Sequence, residues 1–311
     1  MEMYVGLTDY EWYLKQKGKG YDEVNFWKPG TTSFKALKPN DLFLFKLKKP
    51  YYSIVGGAFF VGYSQLPIDI AWETFAEKNG TESKDVFYRW ILDYKRKNNM
   101  DMNNPHIGCI VLTEPFFFEP DQWIKPMEDW SSSIVQGKKY DTAFGEGKRV
   151  YDQVMQRIRN HNSIVIENET TSNAEKRLNA YYESLTKHRL GQGAFRVMVT
   201  DAYHRECAIT GEKVLPVLEA AHIKAFAEEG PNEVNNGILL RSDIHTLFDR
   251  GYLTIDTSYC VDVSSLLKDD YGDCEQYYQY HGKKIGHLPD NEDEKPLKEY
   301  LLWHNENVFK G

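Results

Sequence analysis

At 311 residues, with 41 % hydrophobic and 14 % aromatic side chains, the chain can bury two cores and is too apolar for wholesale disorder. Its net charge of −8 argues against a general, charge-driven nucleic-acid binder but leaves room for a local basic face. No apolar run is long enough to cross a bilayer, and "MEMYVGLTDYEW" lacks the basic start and apolar stretch of a secretion signal, so a soluble cytoplasmic protein without membrane contact is expected.

The opening third reads as β-rich. "MYVGLT", "DLFLFKLK", "YSIVGGAFFVGYS" and "HIGCIVLTEPFFF" are apolar, β-branched or aromatic runs bounded by Gly, Pro and Asn. Between them lie helical patterns. "DYEWYLKQK" is short, "PIDIAWETFAEKNG" sets Ile70, Trp72 and Phe75 near one face and stops at Gly80, and "SKDVFYRWILDYKRK" is longer and amphipathic. Residues 120–150 read as turns with exposed aromatics, after which "GEGKRVYDQVMQRIRN" is helical.

"HNSIVIENETTSN" is polar and reads as a linker, which places a domain boundary near residue 165 and divides the chain into 1–165 and 166–311. "AEKRLNAYYESLTKHRL" and "GAFRVMVTDAYH" then read as helices broken by "GQG". From Asn173 to Arg205 the charge is locally basic: Lys176, Arg177, Lys187, Arg189, Arg196 and Arg205 stand against Glu175, Glu183 and Asp201. Cys109, Cys207, Cys260 and Cys274 include no C-x-x-C pair, so reduced thiols and no structural zinc are expected.

The chemistry-bearing residues cluster between Cys207 and Ile255. "CAITG" reads as a short strand and turn, and "VLEAAHI" as a second strand ending in His222. A polar loop, "KAFAEEGPNEVNN", leads to "GILLRSDIHTLFDRG", which enters a helix with Ser242 at its N-cap. Asn236 follows His222 by 14 positions, His245 follows Asn236 by 9, and Asp249 follows His245 by 4, so the last two share a helix face. A lone histidine in an apolar strand is most often a satisfied core group. Here a histidine, an amide and a His/carboxylate pair can converge on one point, which is what metal-assisted phosphodiester hydrolysis requires.

This stretch resembles the HNH, or ββα-metal, nucleases. The resemblance implies that His222 is the general base, Asn236 a supporting amide and His245 a metal ligand, with Asp249 at the place of a second helical ligand. It implies Mg²⁺ or Mn²⁺ as cofactor and double-stranded DNA as substrate. Many relatives carry Asp or His immediately before the base, where this chain has Ala221. Strand alternation sets Glu219 on the same side as Ala221, and Glu219 is the candidate that helps hold the ion, directly or through water. Lys187, Arg189 and Arg196 are candidates for DNA phosphate contact.

The first part of the chain holds every tryptophan except Trp303. The order "MYVGLT…NFWKPG…ALKPNDLFLFKLK…VGGAFFVGYS" resembles the EVE group of PUA-like domains. That implies a barrel whose aromatic pocket accepts a flipped base, with Trp27 and Phe26 as stacking candidates and Trp12 behind them; aromatics in a small barrel are otherwise mostly core. The expected fold class is α+β: an N-terminal PUA-like (EVE-type) β-barrel with helices, then a ββα-metal HNH domain. The expected function is a restriction-type endonuclease directed to DNA bearing methylated or hydroxymethylated cytosine. The rivals are a non-catalytic PUA-like reader of modified DNA or RNA with a degenerate HNH fold, and a nicking or toxin-like nuclease acting on unmodified DNA. Cutting both strands with one metal centre per chain calls for two chains or two nicks, hence the expectation of a homodimer.

Overall fold

The computed structural model describes residues 2–166, 190–272 and 274–311, except the side chains of 159–166. The chain divides into two compact units, Met1–His188 and Arg189–Gly311. Most of the expected linker and the helical pattern that follows it, with Lys187 and Arg189, lie outside the described residues.

The first unit contains β1 (Glu2–Thr8), α1 (Tyr10–Gln16), β2 (Glu23–Lys28), β3 (Leu42–Leu47), β4 (Ile54–Pro67), α2 (Ile68–Phe75), α3 (Lys84–Lys97), β5 (His106–Phe117), β6 (Gly137–Asp141) and α4 (Gly145–Ile166). Its strands form one six-stranded sheet in the order β2-β5-β4-β3-β1-β6. β1 runs parallel to β3, and every other neighbouring pair is antiparallel. The four strands expected from apolar runs are all present. β2 and β6 were not legible, because "EVNFWK" is charged at both ends and "GKKYD" is the polar edge strand.

The sequence led to a closed barrel, and none is found among the described residues. Among the described residues the edge strands β2 and β6 are not paired with each other, so the sheet is open. The packing shows why. β3 is central and buried along its whole length, with opposite faces in two different cores. Leu42 and Leu44 pack with Met3, Val5 and Ile54 against Val150, Val154 and Ile158 of α4. Phe43, Phe45 and Leu47 pack with Trp12, Tyr13, Val55 and Leu112. The face that a small barrel would turn to solvent is covered by a helix. β4 shifts register against β5 between Gly57 and Phe59 and again between Phe60 and Gly62, as bulged strands do where a sheet bends.

The second unit contains α5 (Gln192–Ala202), β7 (Leu218–His222), β8 (Gly237–Arg241), α6 (Ser242–Asp249), β9 (Leu253–Ile255), β10 (Val261–Val263), α7 (Leu266–Tyr271), α8 (Glu275–Tyr278) and α9 (Lys298–Asn307). β7 and β8 are antiparallel, with His222 opposite Gly237. "CAITG" is not a strand: Ala208, Ile209 and Thr210 form a turn after Cys207, and Ala208 N donates to Leu239 O at 2.8 Å. The second strand of the ββα unit is "GILLR". The N-cap of α6 is Arg241, without a side-chain capping bond, and Ser242 is the first helical residue.

Ile244 and Phe248, four residues apart, anchor α6 in a core formed with Phe195, Val199, Leu218, Ala221, Leu239 and Leu301. The adjoining stripe of the same helix carries His245 and Asp249. Leu301 of α9 is fully buried in the same core. All four cysteines are free. Among the described residues no helix is long and apolar enough to cross a membrane.

Candidate active site

β7 carries His222 to the mouth of a cleft of about 410 Å³, lined also by Phe226, His245, Asp249, Trp303 and His304. The His222 ring stacks on Phe195 of α5, with centroids 3.9 Å apart and planes within 9°. Its Nε2 lies 2.8 Å from Asn232 Oδ1, and Asn232 Nδ2 donates to Leu190 O at 2.8 Å. Burial pulls the His222 pKa below the ordinary histidine value, outweighing the Asn232 hydrogen bond, so at neutral pH the ring is a neutral proton acceptor.

His245 has the opposite environment. Its Nδ1 is 2.6 Å from Glu219 Oε2, and its Nε2 is 3.3 Å from Asp249 Oδ2. Burial opposes protonation, but these two carboxylates carry the pKa above its ordinary value. Two histidines in one cleft are therefore pushed apart, one toward the free base and one toward the cation.

Asn236 is fully buried. Its Oδ1 accepts from Lys224 N at 2.9 Å, and its Nδ2 donates to Lys224 O at 3.0 Å and Pro231 O at 2.9 Å. It closes the β7–β8 connection on itself, and the side chain in contact with the imidazole is Asn232. Nothing in the sequence separated the two, since Asn232, Asn235 and Asn236 stand together in one polar loop. Phe195 and Trp303 likewise had no motif to mark them.

Ala221 is buried, whereas Glu219 is exposed and reaches His245 Nδ1. Among the described residues no group of three or more His, Cys, Asp or Glu side chains is placed to hold a metal ion. What is present is a two-donor set, the exposed Asp249 carboxylate and a His245 Nε2 that would ligate once an ion displaces its proton, with Glu219 fixing the histidine from its other nitrogen. One imidazole and one carboxylate suit an ion that keeps most of its waters and takes phosphate oxygens, as Mg²⁺ does, rather than one caged by protein.

Arg196 is half-buried on α5. In the first unit, Trp12 is buried among Phe26, Phe45 and Gly80. Phe26 and Trp27 are both half-buried but are adjacent in β2 and enter different surroundings. Phe26 joins Phe43, at 4.8 Å between centroids, and Trp12. Trp27 meets Phe87 edge-on at 5.4 Å and donates from Nε1 to Asn79 O at 2.9 Å. The three base-stacking candidates therefore do not share one face.

Three comparisons bear on this chain. Residues 207–256 match the family model described as HNH endonuclease. No curated protein matches. Among solved structures the chain is similar to one titled "Modification dependent TagI restriction endonuclease", at 13 % identity and a TM-score of 0.29, over 97 % of this chain and 81 % of that one. The matched family segment contains the β7–β8–α6 unit and His222, Asn236, His245 and Asp249. The chain thus carries an HNH endonuclease domain at residues 207–256.

Proposed function

We propose that the protein is a divalent-metal-dependent DNA endonuclease of the restriction type, with its N-terminal unit directing it to DNA that carries modified cytosine. One observation carries the nuclease reading: the His222 ring and the His245–Asp249 pair line one cleft inside the segment that matches the HNH family. His222, neutral at physiological pH, takes a proton from water as that water attacks phosphorus and the P–O bond to the departing oxygen breaks. His245 and Asp249 hold the ion, Glu219 orients His245 through Nδ1, and Asn236 keeps the loop beyond His222 in place. The ion, when bound, neutralises charge on the phosphate and on the departing oxygen. Arg196, with Lys187 and Arg189, supplies sequence-independent phosphate contact. Two copies acting together would cut both strands.

The targeting reading draws on the first unit. Tyr4, Phe26 and Phe34 are half-buried around the fully buried Phe43, which leaves aromatic surface on which an extruded base can stack.

A plasmid cleavage panel tests both parts. With Mg²⁺ the wild-type protein is expected to convert supercoiled DNA to nicked or linear form, and to lose this in EDTA. His222→Ala is expected to cut more slowly by about 10²–10⁴-fold. No metal-dependent cutting by the wild type would remove the nuclease reading. Equal cutting of plain, methylated and hydroxymethylated DNA would remove the targeting reading and leave the nuclease.

A further inference from the structure

The site holds one contact that the HNH spacing does not call for. Asn232 bridges the His222 ring and the backbone carbonyl of Leu190. A side-chain amide has one donor end and one acceptor end, and the Leu190 contact fixes which is which. A carbonyl can only accept, so the Asn232 nitrogen must face Leu190 and Oδ1 must face the ring. Oδ1 is itself acceptor-only, so the imidazole nitrogen opposite it, Nε2, must carry the hydrogen. A neutral imidazole has one N–H, which leaves the lone pair on Nδ1.

We infer that Asn232 is a positioning residue that sets the tautomer of His222, holding the proton on Nε2 and presenting Nδ1 to the attacking water. The ring is held in three ways: its Cβ by the end of β7, its plane by Phe195, and its edge by Asn232. In the other tautomer two lone pairs would meet across 2.8 Å, and the N–H would sit where a base is needed. The roles that sequence reading merged into one amide are thereby separated: Asn236 closes the loop and Asn232 orders the imidazole. This inference rests on the nuclease reading for its consequence in catalysis but not for its tautomer.

The test uses the full chain labelled with ¹⁵N-histidine, in long-range ¹H–¹⁵N spectra at pH 8, with the His222 signals identified by their loss in His222→Gln. The expected wild-type pattern is a protonated Nε2 and a bare Nδ1. In Asn232→Ala the tautomers should mix, and kcat for DNA cleavage should fall at least about tenfold with KM little changed. Asn232→Asp keeps an acceptor facing the ring but sets its second oxygen against the Leu190 carbonyl, so the Nε2–H form should return without full recovery of kcat. A wild-type proton on Nδ1 would overturn the inference, as would Asn232→Ala with unaltered tautomer and kcat. A wild-type protein that shows the Nε2–H form yet cuts no DNA would uphold the assignment and overturn the nuclease reading instead.

Discussion

His304 shows how much a single buried ring can be asked to carry. It is 2 % exposed and stacked on Phe248 at 3.7 Å. As a neutral ring it donates from Nε2 to Phe248 O at 3.2 Å and accepts at Nδ1 from Thr254 Oγ1 at 2.8 Å. Burial pushes its pKa down to about 4. The unfolded chain, with histidine near about 6.5, takes up the proton first as pH falls. Stability is therefore complete above about 6.5 and is lost as pH drops through about 4, with a ceiling of roughly 3 kcal/mol. Thermal unfolding from pH 7.5 to pH 4.5 should show a shallower decline for His304→Gln than for wild type; parallel declines would assign the acid sensitivity elsewhere. Lys46 is the converse case. It is fully buried, with Nζ 3.4 Å from the centre of the Tyr52 ring and 5.0 Å from that of Trp130, and burial pushes its pKa down to about 8. Between about 8 and 10.4 the unfolded chain holds a proton that the folded chain releases, so stability rises with pH through that window. Lys46→Met should raise stability at pH 7 by about 1–3 kcal/mol, net of the lost cation–π contact, and the gain should shrink toward pH 10. A melting temperature lowered at pH 7 would show that the ring contacts outweigh the burial.

At the scale of elements, the ββα unit depends on how closely α5 approaches the strand pair. Gly237 opens β8, and a Cβ there would lie 2.4 Å from Val199 Cγ2 and 3.0 Å from the Phe195 ring. Gly237→Ala should force α5 outward, costing about 1–3 kcal/mol, and should also disturb the Phe195 face on which His222 rests. The check is a lowered melting temperature together with a lowered kcat; loss of stability at unchanged kcat would show that the stack does not matter to the base. The helix pair His245/Asp249 was legible because a spacing of four has one meaning on a helix. The strands were harder. "GILLR" is a five-residue apolar run, too short for periodicity to separate strand from helix, so the pattern assigns it no element of its own ahead of the helix that Ser242 opens. "CAITG" is apolar because it docks on β8, through Ala208 N to Leu239 O, without extending as a strand. Apolar content reports burial, and only the hydrogen-bond partner reports the element. The same limit hid Asn232, whose role depends on the carbonyl of Leu190, 42 positions away in sequence.

For the whole molecule, the first unit illustrates which features of a sheet are local. "DLFLFKLK" is apolar on both faces, which already required cover on both sides, and α4 with the Trp12 cluster supplies it. Closure into a barrel depends on whether the two edge strands meet, and those were the two strands whose polar residues concealed them. On the proposed targeting reading, an open sheet with aromatic rings half-buried at β2 would leave base sensing to particular side chains rather than to a barrel interior. Phe26→Leu keeps apolar volume beside Phe43 and removes the ring. If Phe26 takes the base, the ratio of cutting rates on modified over plain DNA should fall by roughly tenfold or more, since stacking is worth about 1–3 kcal/mol per base. Cutting of plain DNA, which needs His222 and no extruded base, should stay unchanged. Trp27→Leu run in parallel separates the two sides of β2, because Trp27 is tied to Asn79 and Phe87, away from the Phe26 cluster. A ratio moved by Trp27→Leu alone would transfer the sensing role to that side. A ratio moved by neither would leave β2 as core and place target choice elsewhere in the chain.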